Sequence, residues 1–236
     1  MGEPRRRGAP GTITREQILD TAEDIARREG LEAVTLRRLS SALGVTAAAL
    51  YWHIDDKQHL VGLLVDRASA RTERPGPEFG NWYERLVRLY LSTREQFTAY
   101  KGLSAALVTS EPTASTLSNC LHVIECLNEA GFDETAAFEV FDTLSTLSFG
   151  HLMMIDTTRF ERRHGREEAL VAYAIRVREL LETNADYAAF VRRLIDFDES
   201  RSRAQLIRGI ELVVHAAAAE AGIPVPLSPR VAAMAR

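Results

Sequence analysis

GVTAAALYWHIDDKQHL, residues 44–60, decides how this chain is read. Tyr51, Trp52 and His53 stand side by side at the end of an alanine-rich run, just before Asp55 and Asp56. Successive residues of a helix point about 100° apart, so one helix cannot bury three consecutive large side chains. At least one of the three must face something other than the core of its own domain.

The residues on either side supply a frame. Thr35 is placed to cap a short helix with Leu36, Leu39 and Leu43 on one face, and Gly44 is placed to end it. The order Thr35, Ser40, Gly44-Val45, Leu50 fits two helices meeting at a tight turn. Gly44 sits where a positive φ is needed, Ser40 is small enough for a close crossing, and Val45 and Leu50 can plug it. This is the layout of a helix-turn-helix, whose second helix enters the DNA major groove while the first crosses the backbone. Upstream, Thr14-Arg-Glu-Gln17 is a capping-box pattern opening a helix that buries Ile18, Ala22 and Ile25 and stops at Gly30. The third short helix is expected over Thr46–His53, with Leu50 and Ile54 facing inward. A fourth begins near Asp56 and carries Leu60, Leu63 and Leu64.

Helical periodicity continues through the chain, and strand-like alternation is hard to find. Arg74-Pro-Gly-Pro77 interrupts it, because two prolines flanking a glycine cannot continue a helix. Longer helices are expected at Asn81–Tyr100, Leu103–Thr109, Thr113–Ala130, Glu134–Arg163, Glu167–Thr183, Tyr187–Asp196 and Arg201–Ala221. The fold class is all-α. Its expected parts are a flexible arm (1–13), a helix-turn-helix domain (14–67), a helical ligand-binding and dimerisation domain (78–222) and a frayed, proline-marked tail (223–236). The 236 residues suit two domains, and 46% hydrophobic content allows a sizeable core. A net charge of −4 announces no nucleic-acid partner globally, and residues 1–67 balance ten basic against ten acidic side chains. Between Thr35 and Ile54, however, there are two arginines and no acids. Arg5–Arg7 lead into no apolar run, so no signal peptide is read. No apolar stretch is long enough for a membrane span. A reducing cytoplasm suits two cysteines, Cys120 and Cys126, that match no metal or redox spacing.

Residues Thr14–Arg67 resemble the DNA-binding domain of the TetR family of transcriptional repressors, and Leu50-Tyr51-Trp52-His53 with Lys57 resembles its tetracycline-binding members. The resemblance implies a homodimer that binds a near-palindromic operator in double-stranded DNA and responds to a small-molecule effector. It also answers the opening question. Tyr51 and His53 can reach phosphates, and Trp52 can donate its indole N–H and cover sugar or a thymine methyl. Lys57, Thr35 and Arg37 can hold the backbone. Thr46, Ala47, Ala48 and Ala49 lead into the groove. There the alanines offer methyl contacts but no hydrogen bonds, so specificity leans on Thr46, Arg37 and DNA shape.

The C-terminal part offers two seams. Thr143, Leu147, Gly150 and Met154 recur at helical spacing, as do Leu206, Ile210, Val213 and Ala217. They pair either across a dimer or into the chain's own core, and the resemblance favours a four-helix interface. A ligand pocket is drawn from Leu89, Thr93, Phe97, Leu107, Phe138, Phe141, Asp142, Ser145 and His151, apolar walls with a few polar groups. Tetracycline-binding members hold the drug as a magnesium complex through a histidine. That position falls at Leu107 here, and Glu111 replaces a neighbouring arginine, so an organic effector without metal or other cofactor is expected.

Two other readings compete. A helical-bundle enzyme would need motifs that are missing, and the single Glu161-x-x-His164 pair has no second to make a di-metal site. A ligand-independent DNA-binding dimer would instead have a filled C-terminal core.

Overall fold

The computed structural model describes residues 13–163 and 199–235, and these form helices joined by short turns. The Thr14 hydroxyl accepts the Gln17 N–H while the Gln17 side chain accepts the Thr14 N–H, which starts α1 (Arg15–Glu29). A single 3-10 turn, Leu31–Ala33, follows. Thr35 caps α2 (Leu36–Leu43), Thr46 caps α3 (Ala47–Tyr51) and Asp56 caps α4 (Lys57–Arg71), each through its side-chain oxygen. Gly44 adopts the left-handed conformation (φ 66°) that lets the chain reverse between α2 and α3. The helix α3 is shorter than the expected Thr46–His53. His53 and Ile54 both donate to the Leu50 carbonyl, closing the helix and turning the chain toward Asp56.

Beyond the proline break come α5 (Trp82–Phe97), α6 (Leu103–Thr109), α7 (Ala114–Ala130), α8 (Glu134–Arg163), α9 (Glu199–Ala221) and α10 (Pro229–Met234). The expected helices at Glu167–Thr183 and Tyr187–Asp196, the triple arginine Arg5–Arg7 and His164 lie outside the described residues.

Two cores organise the molecule. The first joins Ile18, Ala22, Ile25, Leu39, Leu50, Ile54, Leu60 and Leu64 to Phe97, Tyr100, Leu103 and Leu152. It therefore crosses the division drawn at the proline break: the end of α5, the buried face of α6 and part of α8 belong to the packing of the headpiece. The second core runs through α5, α7, α8 and α9, with Leu86, Leu127, Leu144, Ile210 and Val214 at its centre. Ion pairs of Arg67 with Asp20 and Arg71 with Glu23 strap α4 to α1.

The C-terminal tail is not frayed within the described residues. Ser228 caps α10 and donates to Glu84 Oε1 at 2.7 Å, Arg230 lies over the Phe79 ring, and Val231 is 1% exposed. Gly222, at φ 69°, ends α9, and the proline-marked segment beyond it brings Val231 to where it buries apolar surface.

Candidate nucleic-acid interface and ligand cavity

Leu50 and Ile54 are fully buried, and this rotation of α3 turns its next residues outward. Tyr51 is 54% and Trp52 87% exposed. The indole is therefore left uncovered by the chain's own packing. Thr46, Ala47, Ala48 and Lys57 are exposed alongside, with Ala49 and His53 half-buried. Thr35 and Arg37 are exposed at the start of α2. The hydroxyls of Thr35 and Thr46 accept the N–H groups of Arg38 and Ala49, which leaves each O–H to donate outward. The face is less basic than its sequence suggests, because Arg38 is paired with Glu29. Arg37 and Lys57 carry the charge that remains. The Lys57 ammonium rests 3.4 Å from the Glu32 carbonyl.

A second site lies at the far end of α4. A partly open cavity of about 70 Å³ is lined by Ser69 of α4, Leu89, Tyr90, Thr93 and Phe97 of α5, and Leu107 of α6. Thr116, Asn119, Cys120 and Val123 of α7 and Phe141, Ser145, Ser148 and Phe149 of α8 complete it. Its polar end is built. The Ser69 and Thr116 hydroxyls are 3.0 Å apart, Asn119 donates to the Ser69 carbonyl at 3.0 Å, and Arg74 donates to Asn119 at 2.7 Å. Burial pushes the Tyr90 phenol and the Cys120 thiol above their ordinary ranges, and Cys126 up to about 11. Both thiols are therefore protonated at neutral pH and are poor redox sensors.

Six of the expected pocket residues, Leu89, Thr93, Phe97, Leu107, Phe141 and Ser145, line this cavity. Three do not. Phe138 is 62% exposed and leans on Phe141, and Asp142 faces outward one position further round the helix. His151 turns to the other side of α8, where its Nε2 is 3.3 Å from Arg94 Nε and from Ser202 Oγ. The α7 wall went unread, although Thr116, Cys120 and Val123 recur at helical spacing and end a polar stripe in a valine.

The dimer seams also divide. Leu206 and Ile210 are buried in the chain's own second core, with Val213 and Ala217 packed partly against it, so this stripe is not the free face of α9. The uncovered face carries Arg208, Leu212, Ala216 and Ala219. On α8, Thr143, Gly150 and Met154 are exposed. Leu147 packs on Gly209, where an added Cβ would lie 3.0 Å from the leucine methyls.

Residues 18–64 match the model of the bacterial regulatory proteins, tetR family. The chain belongs to the TetR family of transcriptional regulators. An HTH-type transcriptional regulator of Saccharopolyspora erythraea is 24% identical over 213 residues, covering 89% of this chain and 87% of that one. The class E tetracycline repressor protein of Escherichia coli is 24% identical over 155 residues, 64% of this chain and 74% of its own. In fold, this TetR-family regulator is similar to the Streptomyces coelicolor TetR family protein ActR in complex with actinorhodin. The TM-score is 0.71 at 24% identity, with 89% and 97% of the two chains covered. It is a DNA-binding transcriptional regulator of an all-helical family. No helix among its described residues is long and apolar enough to cross a membrane.

Proposed function

We propose that this regulator is a homodimeric repressor released from a near-palindromic operator by a small organic effector bound in the α4–α8 cavity. The observation that carries the reading is the course of α4. Lys57 at its first turn stands on the DNA face and Ser69 in its last turn is a cavity wall, about 18 Å apart at 1.5 Å per residue. A ligand that displaces Ser69 therefore acts on the helix that sets the headpiece.

Tyr51, Trp52, His53 and Lys57 meet the DNA backbone, and Thr46 to Ala49 with Arg37 meet the groove edge. The uncovered faces of α8 and α9 supply the partner contact, and a two-fold dimer sets recognition helices about 34 Å apart. That ActR is described with actinorhodin, and other relatives as tetracycline repressors, supports an organic effector. The described lining offers neither carboxylate nor imidazole, so it does not fit a hard divalent cation, which wants charged oxygen ligands.

Selection of random duplex DNA with the full chain tests this at a fixed salt concentration, because phosphate contacts make affinity salt-dependent. An enriched near-palindrome whose complex is released by a small molecule is the expected result. Enrichment with no release by any compound that binds the cavity would leave a ligand-independent DNA-binding dimer.

A further inference from the structure

The cavity specifies more than a size. No charged side chain lines it among the described residues, and its aromatic walls are Tyr90, Phe97, Phe141 and Phe149. Its polar groups are mostly spoken for. Thr93 donates to the Leu89 carbonyl at 2.9 Å, Ser69 and Thr116 share a hydrogen bond, and Asn119 is engaged by Ser69 and Arg74. Among the aromatic walls, Tyr90 carries the polar group. Its ring is 5% exposed, its hydroxyl is buried in the wall, and that hydroxyl has no hydrogen-bond partner among the described residues. The Ser145 hydroxyl is the nearest group to it and favours its ionised form, but the contact is too poorly aligned to satisfy it.

A buried O–H left unmet is costly, and of the three phenols so left among the described residues, Tyr83, Tyr90 and Tyr100, Tyr90 is the one that lines the cavity. Given the effector pocket proposed above, we infer that its ligand is an uncharged aromatic carbonyl compound whose oxygen accepts the Tyr90 hydroxyl hydrogen. A carboxylate would lose its hydration with no cation in the lining to replace it. A hydrocarbon would fill the aromatic slot and leave the phenol unmet. Burial raises the pKa of the phenol, so it stays a neutral donor across the physiological range. At about 70 Å³ the cavity is smaller than the ~300 Å³ usual for small-molecule sites, so the ligand must push walls apart. Phe149, 37% exposed, and the half-buried Leu107 are the walls freest to yield.

Three probes of one shape separate the alternatives: 1-acetonaphthone, 1-ethylnaphthalene and 1-naphthoate, titrated into the full chain by calorimetry in the same co-solvent. The ketone is expected to bind at least tenfold more tightly than either of the others. Tyr90→Phe, which keeps the ring and the packing, is expected to remove that advantage while leaving hydrocarbon binding within twofold. Equal binding of ketone and hydrocarbon, or a ketone preference that survives Tyr90→Phe, would overturn the carbonyl assignment and leave the pocket standing. Tighter binding of naphthoate would overturn the neutral-ligand assignment. If none of the three binds the folded chain, the pocket itself is wrong, and the carbonyl assignment falls with it.

Discussion

The Ser69 hydroxyl of α4 lies 3.0 Å from the Thr116 hydroxyl of α7, and with the Asn119 amide on the Ser69 carbonyl it fastens the headpiece helix to the cavity wall. Thr116 also meets the Thr113 hydroxyl at 2.9 Å, so removing Ser69 does not orphan it. Ser69→Ala should therefore cost only a net hydrogen bond, about 1 kcal/mol in urea unfolding. Operator affinity without effector should stay within twofold. A stability unchanged within error would show that the hydroxyl pair contributes nothing to the fastening.

Trp52 separates binding from folding. Its side chain is almost wholly exposed, so Trp52→Ala should leave the melting temperature nearly unchanged, within about 0.5 kcal/mol. Operator binding should weaken at least tenfold, since an exposed aromatic at an interface is where binding energy concentrates. Leu50→Ala, two residues earlier and fully buried, should do the reverse and cost about 2–5 kcal/mol of stability. Gel-shift titration beside thermal denaturation reads both. Loss of stability in Trp52→Ala would mean that the indole is a packing residue.

Tyr51→Phe distinguishes backbone holding from base reading on the same face. The change removes one hydroxyl and no packing surface that the fold uses. Binding to all duplex sequences should weaken alike, as phosphate contacts carry no sequence information. A changed preference at one base pair in a selection experiment would assign Tyr51 to the groove edge instead.

These contrasts show why part of the molecule could be read in advance. The caps Thr14, Thr35, Thr46 and Asp56 and the left-handed Gly44 act within one or two turns of backbone, so a short window of sequence contains their cause. The inward pair Leu50 and Ile54 follows from helical spacing alone. The cavity was half legible because a helix shows which residues share a face but not which face its neighbours cover. Phe138 and Phe141 differ by less than one turn, yet one is exposed and the other lines the cavity. The docking of α10 on α5 depends on Ser228 meeting Glu84, a contact 144 residues long that no local pattern announces.

Asp156 gives the fold a pH dependence with a definite sign. Its Oδ2 accepts the Gly102 N–H at 2.8 Å in the turn whose Lys101 carbonyl accepts the Leu31 N–H of the headpiece. Burial raises the Asp156 carboxyl above its ordinary value of about 3.9, outweighing the opposing effects of that hydrogen bond and of Lys101. Between about pH 3.9 and the raised value the folded chain holds more protons than the unfolded one. Stability from this group is therefore full below the ordinary value and is lost as pH rises through the raised one. Asp156→Asn keeps an acceptor for Gly102 without the buried charge. It should raise the urea midpoint at pH 7 and flatten the slope of stability with pH in the window above 3.9. An unchanged slope would show that the carboxylate is solvated in the folded state.

The last helix makes the sharpest test, because two leucine-sized residues two positions apart have opposite fates. Ile210 is fully buried in the second core, and Leu212 is 57% exposed on the other side of α9. A seam drawn from spacing selects Ile210; α9 instead packs with Gly209 against Leu147, and Leu212, Ala216 and Arg208 look outward. Ile210→Ala should thus lower stability by about 2–4 kcal/mol through the space it leaves. At concentrations where the variant is folded, its dimer should be intact. Leu212→Glu should do the opposite. A charge on an already exposed site leaves the protomer folded, while burying that charge in a dimer contact is costly. Sedimentation should show at least a tenfold weaker dimer, and operator affinity should fall with it, because one headpiece alone grips a single half-site. A dimer and an operator affinity both untouched by Leu212→Glu would place the partner contact elsewhere than on the α8–α9 face.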